Sequence, residues 1–207
     1  MCDSDDEEIK LSAETQAILN QFLKEKEQQE KSQVVEENWQ LSQFWYSEAT
    51  QKTFGKIMKQ LIRDSKMKED ICVALLSCPS LFETINSIAD NVRLFEFDER
   101  FQKYGKNFVH YDYNLGNDEN YLKEYKKTFD LIILDPPFLS EECLRKSFQI
   151  VNRIKKDDCK IILNTGIVQK TLAKELGLEK SSYKPQHKNN LGNEFASFAN
   201  FDLNKYI

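Results

Sequence analysis

From residue 71 to residue 177 the chain alternates short aliphatic runs with amphipathic stretches, the pattern of strands and helices taking turns in a parallel sheet. The segments 71–77, 92–97, 108–111, 129–134 and 160–164 read as strands. Most are near-continuous apolar runs, as expected where both faces of a sheet are covered. Helical spacing predicts helices over 80–90, 121–126, 140–154 and 168–176, the last closed by Gly177 as its C′ residue. Upstream, 47–64 carries Phe54, Ile57, Met58, Leu61 and Ile62 on one helical face. An earlier helix is predicted from the N-cap Ser12 to about Lys26, with Ile18, Leu19, Phe22 and Leu23 in register. Two late extended pieces, 182–185 and 194–201, leave no room for a long helix between them and predict an antiparallel hairpin. The pattern is α/β: a Rossmann-like, seven-stranded, mostly parallel sheet with an antiparallel C-terminal hairpin, plus an N-terminal helix.

One strand ends abruptly. Phe129-Asp130-Leu131-Ile132-Ile133-Leu134 runs straight into Asp135-Pro136-Pro137-Phe138. The prolines cannot continue a ladder, so the chain leaves the sheet on a stiff, preset path. In open α/β sheets ligands bind beyond the carboxyl ends of the strands. An acid or Asn, two prolines and an aromatic ring at that place resemble the signature of nitrogen methyltransferases that use S-adenosylmethionine. The chemistry suits the residue types. Transfer needs a nitrogen lone pair held in line, and Asp135 with the Pro136 carbonyl can accept hydrogen bonds from one amine and prepay its alignment. Phe138 can stack on a base or face an alkylammonium.

A cofactor of that kind predicts further residues. The loop after the first strand, Ser77-Cys78-Pro79-Ser80, stands where a glycine-rich turn is usual, and contains no glycine. Without a pyrophosphate to cradle, a tight glycine nest is less necessary. After the second strand an acid would accept the ribose hydroxyls; Asp98 is the first choice and Glu96 the second. Asp112 is placed for the adenine amino group, with Tyr111 or Tyr113 over the ring. The aromatic-rich stretch 39–46, including Ser42, Gln43, Trp45 and Tyr46, reads either as a core plug or as a lid over cofactor and substrate. Phe138 and Trp45 are placed beside the substrate amine, and Asn193 at its entrance.

Composition narrows the partners. The chain has 207 residues, 40% of them hydrophobic and 30% charged, which fits one sizeable domain. No run is long enough to cross a membrane. Five cysteines without C-x-x-C spacing and only two histidines argue for reduced thiols rather than a metal site. The net charge of −5 equals the charge of Asp3, Asp5, Asp6, Glu7 and Glu8, so the rest of the chain is neutral. That is not the basic footprint of a nucleic-acid binder. The expected organisation is an acidic disordered tail (1–10), a helix with linker (11–33) and a catalytic domain (34–207).

Five segments together carry a closer resemblance: 36–46 (EENWQLSQFWY), 95–105 (FEFDERFQKYG), 111–114 (YDYN), 135–146 (DPPFLSEECLRK) and 190–195 (NLGNEF). They resemble the elongation factor 1-alpha lysine methyltransferase 1 family, class I enzymes first taken for N6-adenine DNA methyltransferases because of the Asp-Pro-Pro-aromatic motif. The resemblance implies a cytoplasmic enzyme that uses S-adenosylmethionine to methylate a lysine of translation elongation factor 1-alpha; a monomer is expected. Asp135, Pro136, Pro137 and Phe138 take the family's active-site motif, with Phe in place of the more usual Tyr and hence one hydroxyl fewer. Two other readings share the fold: an N6-adenine methyltransferase on DNA or RNA, and a catalytically silent binding subunit. A lysine substrate brings its own cost, because bringing an ammonium of pKa near 10.4 to half-neutral at pH 7 takes about 4.6 kcal/mol. Asp135 works against that deprotonation, so its expected role is orientation, with water taking the proton.

Overall fold

The computed structural model describes residues 15–16, 35–41, 43–64, 70–189 and 191–207. The acidic stretch, most of the expected N-terminal helix, Ser42 and Asn190 lie outside the described residues. The chain divides into two compact units, Met1–Glu36, in which Thr15 and Gln16 are helical, and Glu37–Ile207.

In the larger unit a seven-stranded sheet has the order β3-β2-β1-β4-β5-β7-β6. Its strands are β1 (Cys72–Leu76), β2 (Asn91–Glu96), β3 (Phe108–His110), β4 (Phe129–Leu134), β5 (Lys155–Gly166), β6 (Glu179–Lys180) and β7 (Phe195–Ala199). The first five are parallel to one another, and β7 lies antiparallel between β5 and β6. Helices α1 (Glu48–Asp64), α2 (Phe82–Asn86), α3 (Glu141–Ile154) and α4 (Lys170–Glu175) complete the α/β pattern. The central strands β1 and β4 are buried from Val73 to Leu76 and from Leu131 to Leu134. Burial of each large aliphatic side chain there is worth about 1.5–3 kcal/mol, which outweighs the weaker pairing of parallel strands. Helix α3 adds Leu144, Phe148, Val151 and Ile154 to the same core cluster as Ile132 and Leu134. It starts where the sequence suggests, because the Ser140 hydroxyl accepts a hydrogen bond from the Cys143 N–H at 3.2 Å. On α1, Phe54, Ile57, Met58 and Leu61 are buried as the periodicity predicts, whereas Ile62 is only half-buried.

Three expectations shift. The sixth strand is Glu179–Lys180 rather than 182–185. Ser182 instead gives its N–H to the Asn204 side chain, and Pro185 has no N–H for a ladder. The 121–126 segment forms only a short 3-10 turn, Lys123–Tyr125, because Leu122 adopts a left-handed φ of 57° that no helix can continue. Strand β5 begins five residues earlier than its apolar run, with the polar start pairing Lys155 to Phe129 across an irregularity in register. Cys72, Cys78, Cys143 and Cys159 are free thiols, and among the described residues no group of His, Cys, Asp and Glu could hold a metal ion. Among the described residues no helix is long and apolar enough to cross a membrane.

Candidate active site

Parallel register brings the functional residues into one row. Leu76 pairs with Phe95 and Leu134, and Leu134 with Leu163, so Glu96, Ser77, Asp135 and Asn164 stand side by side at the carboxyl edge. The Asp135 N–H donates to the Leu76 carbonyl at 3.0 Å, which extends the ladder one step into the motif. Beyond this edge opens a cavity of about 600 Å³, within the range of small-molecule sites, about 300–1,000 Å³. Asp135, Pro136, Pro137 and Phe138 all line it, as do Gln43, Ser77, Pro79, Glu96, Asp112, Tyr113 and Asn193.

Asp135 accepts a 2.5 Å hydrogen bond from the Tyr46 hydroxyl on Oδ2. Burial pushes its carboxyl up to about 7, while the Tyr46 hydrogen bond pulls the other way. Phe138 is 43% exposed on the wall and meets the Tyr113 ring edge-on at 6.0 Å. Asp112 also lines the cavity, but its Oδ1 accepts the Asn114 N–H at 2.8 Å and thereby caps the 3-10 turn Tyr113–Asn117.

Four expected residues lie elsewhere. Tyr46 is 2% exposed and off the cavity wall, and it holds Asp135 from behind. Trp45 is also off the wall, with its ring edge-on to Phe101 at 6.0 Å. Cys78 is buried beneath the loop, its thiol directed at the Ile133 carbonyl at 3.4 Å. Asp98 is the fourth. Strand β2 ends at Glu96, and both Asp98 oxygens are held by Arg100 at 2.6–3.0 Å, with Gln43 at 3.4 Å. Burial works to raise the Asp98 carboxyl, but the Arg100 hydrogen bonds and charge outweigh it and hold it below the usual range. Glu96 is the carboxylate on the wall, 6% exposed, with Oε1 accepting the Phe97 and Asp98 N–H groups at 3.1 and 3.3 Å. Burial pushes it up to about 7.

The glycine-free loop solves its geometry with a serine. Ser77 sits at φ 53°, the left-handed region that usually calls for glycine, and donates its N–H to the Phe95 carbonyl at 2.9 Å. The conformation costs roughly 1–2 kcal/mol in a residue with a Cβ and brings the backbone to the cavity. Ser77→Gly is therefore expected to leave stability unchanged or raise it by up to about 1 kcal/mol, because relief of strain competes with the entropy of an unfolded glycine. Ser77→Val is expected to lose about 1–2 kcal/mol, since β-branched residues tolerate positive φ least. Urea unfolding of the two variants checks both signs.

Sequence reasoning missed part of the wall. Trp39 (65% exposed), Phe44 and Phe97 line the cavity together with His187 and Phe195. The aromatic density of 39–46 was the signal, but only the backbone decides which rings face inward. Trp39 and Phe44 pack edge-on at 5.6 Å and face the cavity, whereas Trp45 and Tyr46 turn away from it. His187 reaches the site by pairing antiparallel with Tyr46, a contact between segments 141 residues apart. Burial holds its imidazole down at about 4, against the pull of Glu37, so it is neutral at pH 7.

The donor set fits S-adenosylmethionine: an acid at the end of β2 for a ribose, a backbone turn after β1, flat rings beside Asp112, and no Lys or Arg on the described wall to repel a sulfonium. This topology and site define a class I S-adenosylmethionine-dependent methyltransferase. The family model described as "Probable N6-adenine methyltransferase" matches residues 37–203. A protein-lysine N-methyltransferase of Drosophila melanogaster is 44% identical over 219 residues, covering 98% of each chain. EEF1A lysine methyltransferase 1 of Homo sapiens is 38% identical over 212 residues, covering 96% of this chain and 94% of that one. A protein-lysine N-methyltransferase of Dictyostelium discoideum is 41% identical over 175 residues, 82% of this chain and 79% of that one. The chain belongs to the EEF1A lysine methyltransferase 1 family.

Proposed function

We propose that this chain is an S-adenosylmethionine-dependent protein-lysine N-methyltransferase whose substrate is translation elongation factor 1-alpha. The observation that carries the reading is the charge of the wall. The ionisable side chains of the wall include the acids Glu96, Asp112 and Asp135 and a neutral His187, and none of the described lining residues is Lys or Arg. An entering cation draws Glu96 and Asp135, both pushed up to about 7 by burial, into their charged form. Such a cavity favours a lysine ammonium and repels a phosphodiester. The relatives' names support the choice of lysine, and of elongation factor 1-alpha in particular. A cytoplasmic monomer that meets its substrate there is part of the same proposal.

When bound, S-adenosylmethionine supplies the methyl group, as an electrophilic carbon on a sulfonium. Glu96 is the acceptor for a ribose diol, and Ser77 presents the turn that follows β1. Asp135 and the Pro136 carbonyl accept hydrogen bonds from the amine and fix the direction of its lone pair. An incoming ammonium favours the charged form of Asp135, so in the loaded site this carboxylate orients, and water takes the proton. Phe138 covers the amine with a ring face that attracts alkylammonium groups. The test is transfer of a tritiated methyl group into a lysate, followed by nuclease or protease digestion. Label lost only to protease is expected; label lost only to nuclease would favour the adenine reading instead.

A further inference from the structure

Behind Asp135 lies a set of polar side chains that the reaction as described does not use. Tyr46, Asn164 and Ser197 are all buried, and they come from three separate parts of the chain. The Ser197 hydroxyl donates to Asn164 Oδ1 at 2.6 Å, Asn164 Nδ2 donates to Tyr46 Oη at 2.9 Å, and Tyr46 donates to Asp135 Oδ2. Sheet register sets this path: Asn164 faces Ser197 across the antiparallel β5–β7 pair and follows Leu163, the partner of Leu134. Tyr46 is fixed independently, with its backbone bridged to His187 and its ring 5.1 Å from the imidazole.

The chain has a direction. An amide has one donor end and one acceptor end. With the Ser197 hydroxyl donating to its carbonyl, the Asn164 NH2 must face Tyr46. That fills the acceptor site of the tyrosine oxygen, so the phenol proton is left to point at Asp135. We propose that Tyr46, Asn164 and Ser197 are positioning residues: a one-way hydrogen-bond chain that anchors Asp135 through Oδ2 and so fixes the orientation in which this carboxylate meets the substrate amine. The inference rests on Asp135 being the group that orients the amine. A carboxylate anchored through one oxygen is held against rotation, so it meets the amine in one orientation beside the Pro136 carbonyl.

The same chain favours the ionised form of Asp135, since a donated hydrogen bond stabilises the charged carboxylate. Among the described residues the other titratable groups near it are few. Cys78 lies beneath the β1 loop and Glu96 ends β2, and Cys78 feels the charge of both Asp135 and Glu96. His187 lies tilted against the Tyr46 ring and is neutral at pH 7, and Asp112 and Tyr113 line the same cavity. Among the described residues only Tyr46 hydrogen-bonds to the Asp135 side chain, so its hydroxyl has a separable effect.

The test is a carbon-13 titration of the Asp135 carboxyl in the full chain, assigned with Asp135→Asn, beside the pH profile of methyl transfer. Tyr46→Phe keeps the ring and removes the donor; it is expected to move the carboxyl titration up by about one pH unit, a tenfold change in the ionisation constant. Ser197→Ala frees the amide to turn its carbonyl toward Tyr46, and is expected to move the titration in the same direction by less. The acid limb of the transfer profile should follow both shifts, which a loss of packing alone would not produce. An Asp135 carboxyl that titrates at the wild-type pH in Tyr46→Phe would overturn the inference. A wild-type chain that modifies no lysine would count against the proposed function, and the titration would still decide this inference.

Discussion

Asp135→Asn is expected to lower methyl transfer by about 10²–10³-fold and, at the same time, to stabilise the unliganded chain at pH 8. The loss of rate follows from orientation and charge, since deleting one preorganised electrostatic partner commonly costs that much. The gain in stability follows from linkage. The folded carboxyl is pushed from its ordinary 3.8 up to about 7, so between these values the native state holds a proton that the unfolded chain has released. Stability contributed by this group is therefore present below about pH 4 and declines as pH rises through 7. At 1.36 kcal/mol per pH unit the full span amounts to about 4 kcal/mol, an upper bound because the carboxyl is partly open to the cavity. Asparagine keeps an acceptor for the Tyr46 hydroxyl and carries no charge to bury. Urea unfolding at pH 5 and pH 8 measures the effect. The wild type should lose more stability than the variant between the two, and equal losses would mean that Asp135 is not a buried charge.

Glu96→Gln should weaken binding of S-adenosylhomocysteine, read by calorimetry, by about 100-fold. Two hydrogen bonds from a ribose diol to a carboxylate are at stake, each worth roughly 1.5–3 kcal/mol. Glutamine retains one acceptor, which the Phe97 and Asp98 N–H groups already use, and would turn a donor toward the hydroxyls. The burial that pushes Glu96 up to about 7 gives its stability the same fall with rising pH, so the variant should be more stable than the wild type at pH 8. Asp98→Asn is the informative contrast. It loosens the Arg100 anchor at the end of β2 without removing a group from the wall, and should cost well under tenfold in affinity. Reversed magnitudes would restore Asp98 as the ribose acceptor.

Both predictions turn on residues that the sequence exposed to different degrees. The run 129–134 and its Asp-Pro-Pro-Phe terminus were legible because every signal was local: unbroken apolar composition, then two residues that cannot pair. Choosing between Glu96 and Asp98 was not a local question. It depended on whether β2 ended at 96 or one residue later, and on Arg100 curling back to hold Asp98. The aromatic cluster at 39–46 announced a site but not its orientation; Tyr46 became a support for Asp135 and left the wall to Trp39 and Phe44. Asn164, Ser197 and His187 were invisible. Each is an ordinary polar residue in its own neighbourhood and gains its place only through the register of β4, β5 and β7 or the bridge to Tyr46.

The charge on the wall and the placement of Asp135 together amount to one claim, that the nitrogen methylated here is a lysine amine. Unmodified recombinant elongation factor 1-alpha, incubated with this chain and S-adenosylmethionine and then digested for tandem mass spectrometry, addresses it directly. The predicted result is methylation confined to lysine with the wild type and near-absent with Asp135→Asn. Unmodified factor, beside methylated adenine in nucleic acid added to the same reaction, would contradict it.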